Sequence, residues 1–174
     1  MIVFLRLLGI TNAAIWFGAA IFLTFGVGPA FFSADMLSIL PRSHAGAAAQ
    51  IVLERYFVLQ YWCGGIALAH LSGEWLYAGR PLRRWVLYLV LGLVGLGLEG
   101  GLVMQPKLQK LHLEIYGVRS TPQQREHASK SFKAWHAVAQ MANLLVTLGL
   151  FVHLLQVTAF TAPGRFLNVN KFRG

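Results

Sequence analysis

Few side chains in this sequence are equipped for chemistry, and most of those recur at helical spacing. Tyr56, Gln60, Cys63, Ala67, His70 and Glu74 follow one another every three or four residues, which places them on one helix face. His136, Gln140, Asn143 and Thr147 repeat the pattern later in the chain. Glu99 stands alone in a long apolar run, six residues before Gln105. At about 1.5 Å of rise per residue, its depth matches that of Gln60 and of Gln140 to Asn143. Glu99, His136, Gln140, Asn143 and Gln60 are therefore expected to form one polar layer. Such a layer is either a clamp of interhelical hydrogen bonds or an ion or proton site centred on Glu99, because an ionisable group in hydrocarbon is costly and turns inward.

His70 and His153 carry a second possibility. Both precede the same end of their apolar segments by several residues, and two imidazoles at equal depth would ligate a haem b iron. His153 lies about 100° around its helix from the stripe of His136 and Asn143, which counts against a shared site. No cysteine or histidine cluster at metal-ligand spacing is present, and no nucleophile, base and orienting group stand at a recognisable spacing. The single cysteine, Cys63, permits no internal disulfide. Gly95-Leu-Gly-Leu-Glu-Gly100 matches G-x-G-x-x-G in form only: a dinucleotide site needs a preceding strand and a free helix N-terminus, and this stretch lies within an apolar helix. Its glycines suit close helix packing.

The elements that hold these residues are set by composition. Of 174 residues 56% are hydrophobic and 12% charged, with mean hydropathy +0.58, whereas soluble domains carry about 25% charged residues. Lipid is the indicated solvent. The formal charge of +9 is spread between apolar blocks rather than gathered into one stripe, which excludes nucleic-acid binding as a reading. Apolar segments at about 7–32, 56–77, 85–105 and 135–162 predict an all-α integral membrane four-helix bundle forming a single domain, with short interfacial helices in its loops. The first segment is too long for a signal-peptide core and reads as a retained span. Trp85, Trp135 and Tyr77 sit at segment ends, where aromatic rings favour the headgroup level. Residues 107–133 read as a polar loop with some helical character.

Lys and Arg divide seven against eight between the two sides, and only the dense Arg80-Pro-Leu-Arg-Arg84 hairpin favours cytoplasmic termini, in a bacterial inner membrane. A span, a proline (Pro29 or Pro106), a polar segment and another span occur twice, the outline of an internal duplication.

Several short motifs resemble a known family. Trp16-Phe17-Gly18, Gly28-Pro29-Ala30-Phe31-Phe32, Glu54-Arg55-Tyr56-Phe57, Gln105-Pro106 and the run from Phe132 to Leu144 are similar to the transmembrane protein 205-like family, over nearly the whole chain. Its fourth helix opens with His-Gly-x-Ser-x-x-x-Asn-Leu. Here Ala137 and Ala139 replace the glycine and the serine, so His136, Asn143 and Leu144 alone carry over. The resemblance implies a four-helix membrane fold and no established enzymatic activity; some members are associated with resistance to toxic compounds.

The leading reading is a non-enzymatic membrane protein that acts as an interaction or accessory subunit, or as part of a stress-related membrane system. It would partner the bilayer and either other membrane subunits or itself as a homo-oligomer, without a cofactor. The alternatives are a b-haem electron-transfer protein using His70 and His153, and a permease for protons or a small solute using Glu99.

Overall fold

A computed structural model describes residues 2–78 and 83–159. Residues 79–82 of the basic hairpin expected at 79–84, the end of the last apolar segment at 160–162 and the short basic tail expected at 165–174 lie outside them. The described residues are helical almost throughout. In order they form α1 (Ile2–Ile21), a π-helical turn (Phe22–Val27), α2 (Gly28–Phe31), α3 (Ala34–Ile39), α4 (Arg42–Ala78), α5 (Arg84–Glu99), a second π-helical turn (Gly100–Met104), α6 (Gln105–Tyr116) and α7 (Pro122–Ala159).

Three helical stretches are long and apolar enough to cross a membrane: Val3–Phe31, Arg84–Tyr116 and Pro122–Ala159. The fourth expected span lies in α4, which falls short of the others in hydropathy. Its apolar half carries Gln60, His70 and Glu74 together with Tyr56, Tyr61, Trp62, Trp75 and Tyr77, whose polar tips dilute the apolar content.

Both π turns end two residues before a proline, Pro29 or Pro106. A proline offers no N–H to the helix ladder and its ring crowds the carbonyl four residues back, and one wider turn relieves the conflict without breaking the rod. The segments expected to be loops are for the most part helices instead. α6 continues α5, and α7 begins at Pro122 because Thr121 and Gln124 form a reciprocal cap: Thr121 N donates to Gln124 Oε1 at 2.9 Å, and Gln124 N donates to Thr121 Oγ1 at 3.2 Å. The short α3 is the kind of interfacial helix expected, capped where Met36 N donates to Ser33 Oγ at 3.3 Å.

α1 packs against α4 and α7, and α5 packs against the same two helices from the other side. Their shared core holds Trp16, Ala20, Cys63, Ala67, Val90, Leu93 and Leu150, all buried. α4 spans 37 residues and α7 spans 38, about 55 Å each at the helical rise, against a hydrocarbon layer of about 30 Å. α6 packs between their N-terminal parts, where His112 Nε2 lies 3.0 Å from the Ser43 carbonyl oxygen.

Candidate functional site

The interior is polar along one line. α1 brings Asn12 and Trp16 one turn apart, and both face α4. The Asn12 amide donates to the Cys63 carbonyl at 2.9 Å, and Trp16 Nε1 donates to Gln60 Oε1 at 2.8 Å. The Gln60 amide passes the chain on to the Tyr56 hydroxyl. All four side chains are buried, so each bond also avoids the cost of an unpaired polar group in an apolar surrounding. Nearer the π turn, the Asn143 amide of α7 donates to Thr24 Oγ1 at 2.8 Å, and Thr24 donates to the Ala20 carbonyl at 2.7 Å.

The five residues expected to form one polar layer therefore do not meet. Gln60 is buried and joined to Trp16 and Tyr56, and Asn143 is partly buried and joined to Thr24. Glu99, Gln140 and His136 are exposed on the outside of the helices. The His136 ring stacks on Phe132 at 5.6 Å and 10°. Glu99 was expected to be buried beside a polar partner, and it is not. The positions of α5 that turn inward are Val86, Val90, Leu93 and Gly97, and at 100° per residue Glu99 falls on the opposite face. Depth alone had grouped these residues, and azimuth separates them. Glu99 thus lines no interior path among the described residues.

His70 and His153 are both buried, 5% and 2% exposed. Each keeps one buried ring nitrogen without a hydrogen-bond partner, Nε2 of His70 and Nδ1 of His153. The His70 ring rests on Gly9 of α1, where a methyl group would stand 2.6 Å from Cε1, whereas His153 meets Trp16 edge-on at 6.2 Å and 74°. Gly9 and Trp16 are seven residues apart, about 10 Å along α1. The two imidazoles nevertheless lie near enough to interact electrostatically. Among the described residues no group of three or more His, Cys, Asp or Glu side chains is placed to hold a metal ion.

Asn12 and Thr24 went unmarked in the sequence and Trp16 was marked only as part of a family motif, although the three stand four residues, or twice four, apart along α1 and the π turn that follows it. A Trp inside a span reads as bulk; only its neighbour Gln60 shows that its N–H is in use.

The model of the domain of unknown function DUF4149 matches residues 12–117, more than half of the chain. The chain belongs to the DUF4149 family. The matched range opens at Asn12 and closes one residue after α6, so it contains Trp16, Gln60, His70, Glu99 and both π turns. No curated protein and no solved structure matches the chain.

Proposed function

We propose that the chain is a four-span membrane protein that serves as an interaction subunit, with the outward face of α5 docking a transmembrane helix of a different membrane protein. The single observation that carries this reading is the exposure of Glu99 on an apolar helix. Glu99 lies 14 residues beyond Trp85, about 21 Å along the axis, and its Cα–Cβ bond leans toward the helix N-terminus and so toward the middle of the bilayer. Reaching the nearer interface is therefore opposed by geometry. A bare charge on lipid costs about 2.5–3.5 kcal/mol by insertion scales.

The same face offers room for a neighbour. Gly92 and Gly95 have open space where a Cβ would stand, and Tyr88 and Leu102 flank them, 68% and 65% exposed. Small residues allow two helix backbones to approach closely. Two copies meeting through this face would set carboxyl against carboxyl, so a complementary partner carries a basic or amide donor at the depth of Glu99. The proposal that α4 is the fourth span is supported by its course: it runs antiparallel along α1, from Gly73 against Leu5 to Gln60 against Trp16.

A photo-crosslinking residue in place of Gly95, introduced in native membranes, tests the docking face, with Ile15 on the outward side of α1 as control. The expected result is one discrete adduct at position 95, none at position 15, and loss of the adduct in Glu99→Leu. The partner's crosslinked span should contain a donor side chain whose change to Leu also removes the adduct. Crosslinking to lipid only, or to a second copy, would overturn the reading.

A further inference from the structure

A pocket at the membrane boundary, separate from the polar interior and from the outward face of α5, has the features of an anion site. It opens between α6 and α7 with a volume of about 180 Å³, and its walls include Lys107, Lys110, His127, Ser131 and Trp135 over a floor of Leu111. Lys107 extends across the Trp135 ring, its Nζ 5.9 Å from the centroid. That contact holds the ammonium at the pocket mouth, in a position an indole ring at headgroup level favours. Neither lysine makes an ion pair among the described residues, although Glu114 also lines the pocket.

The surrounding segment is basic. Residues 105–135 contain six Lys and Arg against two Glu, and one of those two, Glu126, is engaged by Lys130 at 2.8 Å. Two unpaired ammonium groups three residues apart on α6, with a hydroxyl and an imidazole opposite them on α7, are the donors that a phosphate oxygen cluster requires. The position selects the source of the phosphate. Lys107 follows Pro106 directly, where the apolar stretch of α5 and its π turn gives way to polar sequence, and this is the level of lipid headgroups.

We propose that this pocket binds the phosphate of an anionic phospholipid, with Lys107 and Lys110 as its charge donors and His127 and Ser131 completing the hydrogen bonds. The proposal stands independently of whether α5 docks a partner.

The test is native mass spectrometry of the full chain released from nanodiscs. Phosphatidylglycerol, phosphatidylcholine, and phosphatidylcholine with inorganic phosphate added would each be compared. Wild type should retain phosphatidylglycerol and not phosphatidylcholine. In the double variant Lys107→Gln with Lys110→Gln the affinity should fall about thirty-fold, about five-fold for each lysine lost near the surface. Lys130→Gln, outside the pocket, should bind as wild type does, which separates the site from a general loss of charge. Equal retention of both lipids, or retention unchanged in the double variant, would overturn the proposal. So would inorganic phosphate displacing the lipid at millimolar concentration, because the pocket would then be a site for a soluble phosphate compound.

Discussion

Gly9 is the position where a single added atom should be felt most. A Cβ there would stand 2.9 Å from Cδ2 of His70 and closer still to the rest of the ring edge, and His70 is 5% exposed, with little room to retreat. Gly9→Ala is expected to destabilise the protein by about 1–3 kcal/mol, the usual cost of overpacking. That cost should largely vanish when the change is made in a His70→Ala background. Thermal unfolding in detergent of the two single variants and the double variant measures the coupling. Equal losses in both backgrounds would show that Gly9 serves something other than the imidazole. The polar stripe that holds His70 was legible from residue spacing, but the atom against which it packs was not. A glycine two residues after the expected start of its helix carries no marker of what crosses it.

At the scale of elements, the two halves of the chain reuse one design with different contents. α4 and α7 start at residues 42 and 122, 80 apart, and Tyr56, Gln60, Cys63 and Ala67 stand 80 positions before His136, Gln140, Asn143 and Thr147. Exchanging α1 with α5 and α4 with α7 leaves the set of packed helix pairs unchanged. Counted back from Pro29 and Pro106, Leu93 occupies in α5 the place of Trp16 in α1. Trp16 donates to Gln60; Leu93 has no donor, and Gln140 faces outward. The second stripe thus has no counterpart of the Trp16–Gln60 bond, although its members Asn143 and Thr147 still turn inward.

The second π turn gives an experiment at this scale. Added Cβ atoms at Gly100 and Gly101 would stand 2.7 Å and 2.8 Å from Phe57 ring atoms, while Gly92 and Gly95 meet nothing within 4 Å. Ala at 100 or 101 should lower stability by about 1–3 kcal/mol. Ala at 92 or 95 should leave the isolated protein unchanged or raise its stability by up to about 1 kcal/mol, since Ala favours helix over Gly. Denaturation series on the four variants distinguish the two pairs. A uniform response would mean that the turn is not packed on α4.

For the whole molecule, the course of α4 decides the topology, and two sites report it. With α4 as a span, the α2–α4 connection and the start of α7 lie on one side of the membrane. With α4 outside the bilayer, they lie on opposite sides. In a Cys63→Ala background, Ser38→Cys and Gln123→Cys are both exposed positions, and both are expected to react with an impermeant thiol reagent from the same side. Labelling from opposite sides would leave three spans and remove α4 from the membrane interior.

The amino-acid sequence by itself determined the helical, lipid-embedded character of the chain, because charge-poor apolar blocks and helical periodicity depend only on composition and order. It also located the prolines at which both rods change pitch and the stripes from which the interior network is drawn. It misplaced the starts of α6 and α7, although Thr121-Pro122-Gln123-Gln124 contains the cap, because polar residues beyond the bilayer were read as loop rather than as helix running on into water. Only the tertiary structure decided which side of each helix faces inward. That choice depends on the summed packing of all four long helices, and it turned Glu99 and Gln140 outward, gave Gln60 to Trp16, and set His70 against Gly9 and His153 against Trp16.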